Sequence, residues 1–96
     1  MYIGEVKVRM KPCVYILKTR NDRYYIGSTN SLKRRFLEHT SGQVKSTKNL
    51  LPVELVFKQD FSDLTVARRI EYRLKKFKNK EIINKIIKDG FIKMGA

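Results

Sequence analysis

Two short runs rich in β-branched and aromatic residues, "VYILK" (14–18) and "RYYIGS" (23–28), flank the turn-forming cluster "TRND". Side chains of this kind fit a pleated surface, and Asn and Asp tolerate turn geometry, so the segment predicts a β-hairpin. A loop of odd length centred on Arg20 puts Tyr15 opposite Tyr25 on one face. An even loop or a bulge offsets them. A third strand is predicted from the alternation of Val53, Leu55 and Phe57 in "PVELVFKQ". Three strands cannot bury both faces of a sheet by themselves, so helices must cover it.

The helices are legible from their spacing. "GSTNS" offers N-cap residues, "LKRRFLEHT" continues as a helix, and "SG" ends it. There Leu32 and Phe36 face the core, while Arg35 and His39 lie one above the other on an adjoining stripe. "GQVKSTKNLLP" reads as a polar loop. Leu64, Ala67, Ile70, Leu74 and Phe77 recur at helical spacing, with Ser62 or Asp63 as the cap. A last helix turns Ile82, Ile83, Ile86 and Ile87 inward and stops at Gly90. The predicted order is β-β-α-β-α-α, an α+β sandwich of one three-stranded sheet flanked by helices. The expected organisation is an N-terminal extension or edge strand at 1–12, the domain at 13–90 and a tail at 91–96. Met10 offers an alternative start.

Charge narrows the partner. In 96 residues, 22 Lys and Arg oppose nine Asp and Glu, for a formal charge of +13. Such a surplus on a small domain repels itself, and a polyanionic partner relieves it; nucleic acid is the leading candidate and an acidic membrane surface the competitor. Cys13 is the only cysteine, so neither an internal disulfide nor a thiolate zinc site is available. No apolar run approaches a membrane span, and no secretory signal is read at the N-terminus. A cytoplasmic setting is the expectation.

Several residues could carry chemistry, and each has a plainer reading. Glu71 sits beside the apolar stripe of a helix whose other polar positions are nearly all basic. A carboxylate there needs a partner: an arginine, a metal, or a solvated ion pair with Arg68 or Lys75. Arg34 and Arg35 read as phosphate ligands or as surface charge. His39 reads as a structural hydrogen bonder or as an acid or base. Tyrosines in a hairpin commonly pack and satisfy their hydroxyls. Arg69, Arg73, Lys76 and Lys80 form an outward basic face. Asn79 and Asn84 have no assigned role.

The ordered set is more specific than any member. "VYI", then "YIG" ten residues on, then "LKRR" with His39, then an acid in a later helix, resembles the GIY-YIG nuclease superfamily over about residues 13–90. A second "YIG" at Tyr2–Gly4 lacks this context. The resemblance implies a three-stranded antiparallel sheet flanked by helices, and a metal-dependent endonuclease cleaving phosphodiester bonds in DNA with one Mg²⁺ or Mn²⁺ ion. Selection of branched or damaged DNA, in repair or recombination, goes with it. Carried over by position, Tyr15 and Tyr25 are the motif tyrosines, Arg35 the motif arginine, His39 the histidine and Glu71 the metal ligand. In that scheme Tyr15, acidified by nearby positive charge, takes a proton from water. Arg35 clamps a phosphate oxygen, and Tyr25 and His39 orient water or protonate the leaving group. Gly27 turns the chain from strand into helix. Cys13 stands where the motif's name has glycine. No DNA-targeting domain is recognised, so a targeting partner, or a binding module without catalysis, is the alternative.

Overall fold

The computed structural model describes residues 11–77 and 79–92. The extension and alternative start considered for residues 1–12 fall mostly on residues 1–10, outside the described residues. The elements run β1 (Cys13–Lys18), β2 (Tyr24–Thr29), α1 (Leu32–Thr40), a single 3₁₀ turn (Lys48–Leu50), β3 (Glu54–Asp60), α2 (Leu64–Phe77) and α3 (Lys80–Asp89). This is the expected β-β-α-β-α-α order. The sheet is antiparallel with strand order β2-β1-β3, so the hairpin's first strand is central. That position explains the near-complete burial of Cys13–Leu17.

The hairpin register differs from the simplest expectation. Lys18 pairs with Tyr24, so the loop spans residues 19–23 and centres on Asn21 rather than Arg20. Tyr15 therefore lies opposite Gly27, and Tyr25 opposite Leu17. Both tyrosines still share one face, because they are offset by one pair of residues and not by half of one.

The other face carries the main core. Val14, Ile16, Ile26 and Phe57 pack with Ala67, Ile70 and Leu74 of α2, with Ile83 and Ile86 of α3, and with Ile92. Each fully buried aliphatic side chain there stabilises the fold by about 1.5–3 kcal/mol relative to exposure. Asp63 caps α2 by accepting the Val66 N–H at 2.9 Å. Asn79 caps α3 by accepting the N–H groups of Glu81 and Ile82. Gly90 ends α3 at φ 82°, a left-handed position that suits glycine.

Two packing expectations are corrected. Ile16 pairs with Phe57 but Leu17 pairs with Leu55, so Val56 is the extra residue of a β-bulge. The bulge resets the alternation, sending Phe57 into the core and leaving Leu55 exposed on the other face. Phe77 is also exposed, because α2 ends there and the chain turns into α3.

Candidate active site

The site forms on the sheet face opposite the main core, where α1 packs over β1 and β2. The residue of α1 that is buried is His39, at 0% exposure, while Leu32 and Phe36 are half-buried. The expected apolar contact of this helix is thus largely a polar one. His39 Nε2 is 2.9 Å from the Tyr15 hydroxyl oxygen. His39 Nδ1 is 2.8 Å from Thr47 Oγ1, and Thr47 is itself buried. The Tyr25 and His39 ring centroids are 4.9 Å apart in an edge-on arrangement, and Tyr15 and Tyr25 are 6.3 Å apart.

Arg35 approaches this cluster from one helical turn before His39. Its guanidinium donates to Glu38 Oε1 at 3.0 Å and lies close to both tyrosine hydroxyls. The Glu38 carboxylate, followed by the tyrosine hydroxyls, raises the Arg35 pKa further. Arg34, one residue earlier, is exposed and pairs with Glu38 at 3.2 Å, outside the cluster. Between the two arginines, geometry separates the residue facing the tyrosines from the surface charge.

The proton of the Tyr15 hydroxyl has one acceptor in this geometry. Arg35 is a donor only, so it can engage only an oxygen lone pair. A buried hydroxyl proton needs an acceptor, and among the described residues His39 Nε2 is the one in reach. It follows that Nε2 carries the lone pair, Nδ1 carries the proton, and Thr47 Oγ1 accepts it. Burial, aided by the Arg35 charge, lowers the His39 pKa to about 4, so the ring is neutral at physiological pH. Thr47 had no signal in the sequence. It lies in a polar loop with no periodicity, and the fold alone delivers its hydroxyl to the histidine.

Burial raises the Tyr15 pKa to about 12, even though Arg35 pulls it down. This corrects the expectation of a phenol already acidified by positive charge: desolvation outweighs the guanidinium. Gly27 is corrected as well. It lies within β2, outside the left-handed region, and is not the turn into α1. A Cβ built on it would stand 2.5 Å from both Cζ and the hydroxyl oxygen of Tyr15. The missing side chain makes room for the Tyr15 ring to lie across the strand.

Glu71 reaches the same region from α2. Ser28 Oγ, on β2, donates to its Oε1, and Lys75 Nζ is 2.6 Å from Oε2. The Lys75 ammonium also lies 5.8 Å from the Tyr25 ring centroid, linking the acid to the tyrosine cluster. Glu71 is near enough to Tyr15 for its charge to disfavour the phenolate. The ion pair with Lys75 that the spacing offered is therefore present, and it sits at the edge of the tyrosine–histidine cluster. Tyr15, Tyr25, Arg35 and His39 gather on one face of the sheet, and Glu71 lies beside them at the β2 edge, the five coming from four elements, β1, β2, α1 and α2.

The neighbouring candidates have structural tasks. Tyr24 alternates to the opposite face, where its hydroxyl donates to Asn84 Oδ1 at 2.6 Å. Asn79 is the α3 cap. Cys13 is a buried free thiol at the start of β1, its pKa raised mainly by burial.

Comparison with known proteins identifies the family. A family model described as the GIY-YIG catalytic domain matches residues 11–86. The UPF0213 protein YazA of Bacillus subtilis (strain 168) is 38% identical over 68 residues, covering 70% of this chain and 69% of that protein. A UPF0213 protein of Streptococcus pneumoniae serotype 4 is 39% identical over 69 residues, covering 71% and 70%. The UPF0213 protein SH2523 of Staphylococcus haemolyticus is 35% identical over 77 residues, covering 79% and 94%. The solution NMR structure of the UPF0213 protein BH0048 from Bacillus halodurans superposes with a TM-score of 0.54 at 30% identity, over 84% of this chain and 87% of that one.

Proposed function

The chain belongs to the GIY-YIG catalytic-domain family, a nuclease family, and on that premise we propose that it is a metal-dependent endonuclease that hydrolyses phosphodiester bonds in DNA. The observation that carries this reading is the buried Tyr15–His39–Thr47 hydrogen-bond chain, with Arg35 beside its outer end. A core histidine is ordinarily satisfied by whatever backbone is near. Here three buried polar side chains from three segments line up, and the chain ends at a phenol next to a guanidinium and a carboxylate.

The proposed roles follow from donor and acceptor capacity. The Tyr15 oxygen donates to His39 and lies beside the Arg35 guanidinium, with lone-pair capacity left for a water proton. As the water oxygen attacks phosphorus and the P–O bond to the leaving group breaks, the water's proton passes to the Tyr15 oxygen and the phenol's own proton moves toward His39 Nε2. It returns to the phenol as the departing oxygen or solvent takes up the released proton. His39 is neutral, with its Nε2 lone pair turned to the phenol. Thr47 holds the ring in the orientation and tautomer that keep Nε2 open. Arg35 turns a guanidinium edge to a non-bridging phosphate oxygen, whose charge grows in the transition state. Tyr25 packs against His39 and fixes the other side of the water.

GIY-YIG nucleases typically use a divalent ion. Glu71 fits one as its single carboxylate ligand, with Ser28 Oγ alongside. Among the described residues no group of three His, Cys, Asp or Glu could hold a metal. An ion held there would rely on water and substrate phosphate oxygens for its other ligands, which Mg²⁺ tolerates. When bound, the ion supplies Lewis-acid stabilisation of the leaving oxygen. Lys75 Nζ pairs with the same carboxylate at 2.6 Å, so an ion would compete with this ammonium, and phosphate oxygens of a bound substrate would help it do so.

Cleavage of plasmid and branched DNA in Mg²⁺ or Mn²⁺, beside Glu71→Gln and Tyr15→Phe, tests the reading. Wild-type cleavage that both variants lose supports it. Cleavage that survives in both sinks it.

A further inference from the structure

We propose that the outer face of α2, centred on Tyr72, is a second nucleic-acid contact surface that carries the strand as it leaves Glu71. This deepens the nuclease reading and rests on it, but its test measures binding rather than cleavage.

Helix geometry places the residues. The buried stripe of α2 is Ala67, Ile70 and Leu74. At 100° per residue, Tyr72 points directly away from that stripe. It is 66% exposed and makes no hydrogen bond or ring contact among the described residues. Its neighbours one turn away are Arg68 at i−4, Arg69 at i−3, Lys75 at i+3 and Lys76 at i+4, all exposed. An exposed aromatic ring thus sits inside a ring of four cations.

Neutralisation within the protein does not account for these charges. Glu71 is the sole acid of α2, and it is engaged by Ser28 and Lys75. Arg68, Arg69 and Lys76 make no ion pair among the described residues. Elsewhere Arg34 and Arg35 pair with Glu38, Lys58 with Asp60, and Lys85 with Asp89. A face held in solution by charge alone has no use for a large exposed ring at its centre.

The combination of chemistries selects the partner. Cations take phosphates, and an aromatic ring among them takes the flat face of a base or the edge of a sugar. An acidic polypeptide would use the cations and leave the ring without a task. Continuity with the site supplies the direction. Arg68 lies between Glu71 and Tyr72 around the helix, and Tyr72 is the next residue after Glu71. A backbone with one phosphate beside Glu71 would pass over Arg68 to reach Tyr72.

The test is fluorescence anisotropy of a labelled DNA oligonucleotide, without divalent metal and in a Glu71→Gln background so that no cleavage intervenes. Tyr72→Ala should weaken binding about five-fold or more, within the range of one lost stacking contact, and Tyr72→Phe should retain it. Arg68→Ala, Arg69→Ala and Lys76→Ala together should flatten the slope of log affinity against log salt by about two to three, and lysine at both arginine positions should restore it. These residues are exposed, and circular dichroism confirms that each variant is folded. Unchanged affinity and salt slope in the alanine variants would overturn the surface. So would tighter binding of polyglutamate than of the oligonucleotide at equal salt. A wild-type protein that binds through this face but never cleaves would leave the surface standing and defeat the nuclease reading.

Discussion

The ring of Tyr15 lies across Gly27, its partner on the neighbouring strand, so closely that an added Cβ would stand 2.5 Å from the phenol oxygen. The glycine is thus part of the site without contributing a side chain. Tyr15 is 1% exposed and cannot swing aside. Gly27→Ala should destabilise the fold by about 1–3 kcal/mol through overpacking. It should also displace the hydroxyl from His39 and reduce cleavage. Chemical denaturation and a cleavage assay read the two effects. A variant with wild-type stability and activity would contradict the close approach.

Much of the fold was legible because it rests on local periodicity. The isoleucines of α3, the Ala67–Ile70–Leu74 stripe and the hairpin each declare themselves within a few residues. What was not legible depends on contacts between distant segments. The bulge at Val56 overrode a clean alternation, and Asn21 rather than Arg20 centres the hairpin loop. The site shows the same division. Tyr15, Tyr25, Arg35, His39 and Glu71 were reached by ordered spacing and resemblance. Thr47 and the reason for Gly27 were not, since one is a loop hydroxyl placed by the fold and the other is defined by a neighbour's ring. The acidity of Tyr15 is not legible either, because sequence shows its positive neighbours but not the desolvation that outweighs them.

Folding stability should fall on mild acidification because of His39. Its pKa in the fold is about 4, below the ordinary 6.5, so between these values the unfolded chain binds more protons. The stability contributed by the neutral ring is complete above pH 6.5 and drains away as pH falls towards 4, by up to about 3 kcal/mol. Arg35 reinforces the shift and Glu38 opposes it. Urea titrations across this range measure it, and His39→Gln should flatten the dependence. An equal slope in wild type and variant would assign it to other groups.

Histidine tautomers report on Thr47. Nitrogen-15 NMR of the ring should find the proton on Nδ1 and the lone pair on Nε2. Thr47→Val leaves the Nδ1 proton without its acceptor, at a cost of about 1–3 kcal/mol. It should shift the tautomer population and slow cleavage, while Thr47→Ser preserves both. A wild-type ring protonated on Nε2 would reverse the proposed direction of the hydrogen-bond chain.

Metal affinity should depend on nucleic acid. A single carboxylate already paired with Lys75 at 2.6 Å is a weak site in isolation. Titration calorimetry with Mg²⁺ or Mn²⁺ should detect little binding to the free protein and clear binding once an uncleavable DNA is present. Strong binding by the free protein would require ligands beyond Glu71.

The most direct measurement is the Tyr15→Phe variant in a DNA cleavage assay, with its fold checked by denaturation. The substitution keeps the ring across Gly27 and removes only the hydroxyl bonded to His39, the proposed acceptor of the water's proton. The account predicts Mg²⁺-dependent cleavage by the wild type, a loss of about 10²-fold or more in the variant, and nearly unchanged DNA binding. Cleavage by Tyr15→Phe at the wild-type rate would contradict it.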